Sequence, residues 1–67
     1  MTLGDVLQLV KDDEIIAIYD VSTNVYILYE QDKRYYNGTY DKCEVAGIEN
    51  TLDRAYSPVL EIQISTQ

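Results

Sequence analysis

Leu3, Val6, Leu7 and Val10 are spaced i, i+3, i+4 and i+7, which lines up four apolar side chains on one face of a helix. Thr2 can cap that helix by accepting the backbone N–H of Asp5, and the Asp5 carboxylate sits at the positive end of the helix dipole. Lys11 suits the other end, but Asp12 and Asp13 set negative charge against it, so the helix is expected to stop between Val10 and Asp12. The period then changes. In Glu14 to Tyr19, EIIAIY, Ile16 and Ile18 make one strand face while Ile15, Ala17 and Tyr19 make the other, and both faces are apolar. Asp20 to Asn24 has turn composition and Val25 to Tyr29 resumes a β-branched and aromatic run, predicting an antiparallel hairpin.

Asn37-Gly38 is the dipeptide that most readily supplies the two positive φ angles of a type I′ hairpin turn. Folding about it sets Tyr35 opposite Tyr40, Arg34 opposite Asp41 and Ile27 opposite Ile48. On this register Val25 to Tyr36 and Thr39 to Glu49 form a long hairpin with its base in the sheet and a polar tip beyond it. Asn50 to Pro58 is a second polar connection. In the last strand, Val59 to Ile64, the residues Leu60, Ile62 and Ile64 alternate with Glu61, Gln63 and Ser65. The expected structure is one α+β domain over residues 1–67 in the order α-β-β-β-β, with one N-terminal helix packed on a four-stranded antiparallel meander sheet. Its core is expected to hold Leu3, Val6, Leu7, Val10, Ile16, Ile18, Ile27, Ile48, Leu60, Ile62 and Ile64.

Length makes such a domain marginal, because a core below roughly 70–80 residues seldom supplies more than about 3–5 kcal/mol and this chain has 67. Cys43 is the only cysteine and histidine is absent, so no internal disulfide and none of the usual zinc, iron or copper ligand sets can form. Self-association into a homo-oligomer is the support that remains. The formal charge of −7 repels a phosphate backbone, which argues against direct nucleic-acid binding and favours a protein partner with a basic surface. The same charge also serves plain solubility. No stretch approaches the roughly eighteen apolar residues of a membrane span, and Asp5 stands where a signal peptide carries positive charge, so a cytoplasmic protein is expected. Asn37-Gly38-Thr39 matches a glycosylation acceptor, but the turn accounts for it.

Without histidine, Ser-His-Asp and Cys-His arrangements cannot be built. Asp12, Asp13 and Glu14 read as a solvated connection, Cys43 as a packing residue, and no EF-hand, phosphate loop or dinucleotide motif is present. The expectation is a non-enzyme with no cofactor. All seven aromatic residues are tyrosine. Tyrosine suits surfaces that a partner covers, and it equally suits exposed strands through β-propensity alone. One helix covers only one face of a sheet, which leaves Ile15, Ala17, Tyr19, Tyr26 and Leu28 as an open apolar face. Tyr26, Tyr35, Tyr36, Tyr40 and Tyr56 are the candidate contact anchors, with Asp20, Glu30, Asp32, Asp41, Glu49 and Asp53 supplying charge.

The opening TLGDVLQLVKDDEIIAIYD, the following VYILYE and the terminal VLEIQI resemble the small acidic proteins encoded by phages and prophages of Gram-positive bacteria. The resemblance covers most of the chain and departs from the pattern in the segment QDKRYYNGTYDKC. It implies the type that includes anti-CRISPR proteins and other inhibitors of host defence, some acting as acidic mimics of nucleic acid. The function it suggests is inhibition of a host nucleic-acid-handling or defence complex. The alternative is a structural or assembly module that packs against copies of itself or a second phage protein.

Overall fold

The computed structural model describes residues 1–67. Thr2 caps the first helix reciprocally: its Oγ1 accepts from the Asp5 N–H at 3.3 Å, and Asp5 Oδ2 accepts from the Thr2 N–H at 3.1 Å. The hydrogen bond from the Thr2 backbone, more than any other influence, holds the Asp5 carboxyl below the usual range. Helix α1 spans only Leu3–Leu7. Beyond it, Leu9 N–H bonds to Val6 O and Val10 N–H to Leu7 O, so the chain tightens into i to i−3 turns that still aim Val10 at the core.

Four strands follow: β1 Ile15–Asp20, β2 Val25–Asp32, β3 Glu44–Leu52 and β4 Pro58–Ser65, with a single 3₁₀ turn, Lys33–Tyr35, after β2. Their order across the sheet is β2-β1-β4-β3. The β1–β2 hairpin is antiparallel as expected, and β3 pairs antiparallel with β4. The centre, however, is a parallel β1·β4 pair running from Ile16↔Leu60 to Asp20↔Ile64. The architecture is therefore α+β with a mixed sheet, which corrects the antiparallel meander. The reason lies in β1. Ile16, Ala17 and Ile18 are all buried, and a strand apolar on both faces is most stable with neighbours on both sides. β2 takes one side and β4 the other, which pushes β3 to the edge.

The long β2–β3 hairpin consequently does not form. Tyr35 does not face Tyr40, Arg34 does not face Asp41, and Ile27 does not face Ile48; β2 ends at Asp32 and Ile48 pairs with Ile62. Of the central turn residues only Gly38 has positive φ, at 87°, and Asn37 instead accepts from the Thr39 N–H and hydroxyl in an Asx-type turn. The N-terminus holds the segment in this path. Leu3 N–H bonds to Cys43 O, Gly4 N–H to Asp41 O, and Val45 N–H to Met1 O. A Cβ on Gly4 would lie 3.2 Å from both Asp41 Cβ and Asp41 O, so this close approach depends on glycine.

The core cluster is Leu3, Val6, Leu7, Val10, Ile16, Ile18, Ile62 and Ile64, all on the side of the sheet that α1 covers. Ile27 and Leu60 are half-buried against it, and so is Leu28, which leaves it off the open face. Ile48 is 48% exposed, because it lies on the edge strand β3 and outside the cluster that α1, β1 and β4 build. No helix is long and apolar enough to cross a membrane.

Candidate binding face

On β1 and β4 the register puts Ala17 beside Glu61 and Tyr19 beside Gln63, on the face opposite the core. Tyr26 of β2 pairs with Tyr19, while Gly47, Glu49 and Thr51 of β3 pair with Gln63, Glu61 and Val59. No element covers this face. Tyr19 and Tyr26 meet edge to face with ring centroids 4.8 Å apart, and Tyr26 and Tyr29 do the same at 4.8 Å. Pairs of this geometry stabilise by about 0.5–1.5 kcal/mol beyond their burial, so the three rings form a fixed ladder.

A polar relay runs beside the ladder. The Tyr26 hydroxyl donates to Glu61 Oε1 at 2.9 Å, Gln63 Nε2 donates to Glu61 Oε2 at 3.1 Å, and the same amide lies 3.5 Å from Glu49 Oε1. Donation to Glu61, more than burial, pushes the Tyr26 phenol up to about 12. Gly47 makes room for this layout, since a Cβ there would lie 2.9 Å from Gln63 Oε1. Tyr19 is anchored separately, donating to Asn24 Oδ1 at 3.0 Å.

The sequence-derived contact residues divide among four places. Tyr26, Glu30 and Glu49 belong to the open face or its rim. Asp20 does not supply surface charge. It is 4% exposed, and its carboxylate accepts from the Ser22 N–H and hydroxyl, the Thr23 hydroxyl, and the Thr66 N–H and hydroxyl. Those bonds, Ser22 first and Thr66 next, hold its carboxyl far below the usual range and tie the β1–β2 turn to the end of β4.

Tyr36, Tyr40 and Asp41 belong to the connection between β2 and β3. Tyr36 and Tyr40 pack against the core cluster instead of projecting on an arm, and Tyr35 is the only exposed ring of the three. Tyr36 hydroxyl donates to Asp41 Oδ1 at 2.9 Å and accepts from the Tyr40 N–H at 2.8 Å, and burial chiefly, then that donation, holds its phenol well above the usual range. Asp32 lies 3.6 Å from the Arg34 guanidinium.

Asp53 and Tyr56 form the β3–β4 turn. Asp53 Oδ1 accepts from Ala55 and Ser57 N–H groups, and the fixed turn holds Tyr56 at φ 61° and 81% exposed. Sequence reasoning missed Tyr29 and Glu61 as contact residues. Glu61 read as a solvent position in the β4 alternation, and nothing short of the sheet order places it beside Tyr26.

No protein-family model, curated protein or solved structure matches the chain.

The largest cavity, about 510 Å³, lies elsewhere, between α1 and the β2–β3 connection. Its cations are already engaged: Lys33 Nζ donates to Val10 O at 2.8 Å and lies 3.4 Å from Asp12, while Arg34 faces Asp32. It offers no convergent free group, whereas the open face combines ordered aromatic rings with carboxylates and contains no lysine or arginine.

Proposed function

We propose that this chain is a non-enzymatic binding protein that engages the basic surface of a protein partner through the sheet face carrying Tyr19, Tyr26, Tyr29, Glu49 and Glu61. The observation that carries the reading is the uncovered tyrosine ladder set against a carboxylate relay. Tyrosines held by one another and by Glu61 lose little freedom when a partner covers them, which favours affinity. The net charge of −7 steers basic surfaces toward the face and repels nucleic acid. Taken with the resemblance to small acidic phage proteins, the partner class is a host nucleic-acid-handling or defence complex in the bacterial cytoplasm, and binding inhibits it.

A second reading, self-association, has its own support. β3 is a nine-residue edge strand whose outer side meets only the N-terminal residues, through the Thr2↔Glu44 bridge and the Val45–Met1 bond. Antiparallel pairing of two copies about Ile48 would set Gly47 opposite Glu49 and Ala46 opposite Asn50, so that no carboxylates stand opposite each other. Such a dimer would extend the binding face across two chains.

The test immobilises the full chain and a Tyr26→Ser/Tyr29→Ser/Glu49→Lys variant, and compares what each retains from a bacterial lysate at low and high ionic strength. A protein retained by the wild type, lost on the variant and weakened by salt supports the binding reading. Equal retention by both chains overturns it. Sedimentation of the same chains decides the second reading, since a 7.7 kDa monomer at high micromolar concentration excludes it.

A further inference from the structure

Tyr29 and Glu30 are consecutive in β2, and in a regular strand they would point to opposite faces. Both nevertheless line one small cavity of about 100 Å³ on the open face. The cause is a bulge. From Ile18↔Leu28 to Ile16↔Gln31, β1 advances two residues while β2 advances three, and Glu30 takes φ 50°, a left-handed conformation that a residue with a Cβ adopts only at a cost. The bulge thus brings a ring and a carboxylate of consecutive residues to the same cavity.

The cavity has three kinds of wall. Its floor is Ala17 and Val59, 2% and 1% exposed. Its sides are the Tyr26 and Tyr29 rings, held edge to face. Its polar side chains are Glu30, Thr51 and Glu61, Leu52 completes the lining, and Glu61 is held in place by Tyr26 and Gln63. An apolar floor, aromatic sides and two carboxylates with no cation among them make a recess for a positively charged group on an aliphatic stem.

We infer that this recess is an arginine-binding cage, filled by one arginine side chain of the basic partner. This rests on the binding reading given above and names the anchor it uses. The floor takes the methylenes, a tyrosine ring takes the face of the guanidinium, and Glu61, with its orientation already set by two hydrogen bonds, takes the guanidinium N–H groups. Guanidinium suits the recess better than ammonium, because it is planar, stacks on aromatic rings and sheds water more readily.

The experiment titrates the ¹⁵N-labelled full chain with Nα-acetyl-arginine N-methylamide, and in parallel with the lysine analogue, following amide shifts. Saturable shifts in the millimolar range are expected, centred on Ala17, Glu30, Val59 and Glu61, with the lysine analogue several-fold weaker. Tyr29→Leu is expected to weaken binding roughly threefold to fivefold, and Glu61→Gln about tenfold. Glu30→Gly is the folding control: it relieves the left-handed strain and so does not loosen the domain, yet it also weakens binding. Shifts that never saturate, that spread over all the acidic residues, or that survive Glu61→Gln unchanged would overturn the cage. So would equal binding of the two analogues. Loss of the cage with continued face-dependent capture of a partner removes this inference alone, whereas a working cage on a face that captures nothing removes the binding reading instead.

Discussion

Ile48 and Ile62 are cross-strand neighbours on the same side of the sheet, yet the strand order gives them different fates. Ile62 is fully buried between β1 and β3 beneath α1, whereas Ile48 on the edge is 48% exposed. Ile62→Ala removes three carbons, a transfer loss of about 2.5 kcal/mol, and leaves an enclosed cavity that brings the cost to about 3–4 kcal/mol. The same truncation at Ile48 forfeits about half the transfer loss and encloses no void, so about 1 kcal/mol is expected. A domain this small holds only about 3–5 kcal/mol in all. Ile62→Ala should therefore sit at the margin of stability, with a measurable unfolded fraction in water, while Ile48→Ala remains folded with a modestly lower urea midpoint. Ile62→Val, at about 0.5–1.5 kcal/mol, keeps the comparison measurable by urea unfolding followed by circular dichroism. If Ile48→Ala cost as much as Ile62→Ala, β3 would have to be an interior strand, and the mixed sheet order would be refuted.

Three further outcomes follow from the hydrogen-bonded side chains. Asp20 has a lowered pKa when folded, so its contribution is complete above the unfolded value of about 3.9 and is lost as pH falls through the lower folded value; Asp20→Asn should lower stability at pH 7 and flatten the acid-unfolding profile below about pH 4. Of the exposed tyrosines, Tyr26 should ionise near 12 in a spectrophotometric titration, and Glu61→Gln should bring it back toward its ordinary value of 10. Tyr36→Phe strips the partner from the Tyr40 N–H and from Asp41, and should cost about 1–2 kcal/mol in urea unfolding, whereas Tyr35→Ser at an exposed ring should cost under about 0.5 kcal/mol.

The parts of the fold that were legible are those written in local spacing. The Leu3/Val6/Leu7/Val10 stripe, the Thr2 cap, the β1–β2 turn and the Leu60/Ile62/Ile64 alternation each depend on neighbours within a few residues. Pairing β1 with β4 joins residues more than forty positions apart, and the only hint of it is that β1 is apolar on both faces. Asn37-Gly38 misled because turn propensity is weaker than the pull of the N-terminus on Asp41 and Cys43 and of the core on Tyr36 and Tyr40. The candidate site was partly visible for the same reasons. Ala17, Tyr19 and Tyr26 followed from strand alternation, whereas the cage around Tyr29 and Glu30 exists because a bulge breaks that alternation.

If a partner binds the open tyrosine and carboxylate face, amide shift mapping of the ¹⁵N-labelled chain in complex with the protein it captures will show it. The predicted result is that the largest changes fall on Ala17, Tyr19, Tyr26, Tyr29, Glu49 and Glu61, and that raising the ionic strength reduces them at equal concentrations. Changes concentrated on α1 and on Tyr35 to Asp41, with the open face unmoved, would contradict it.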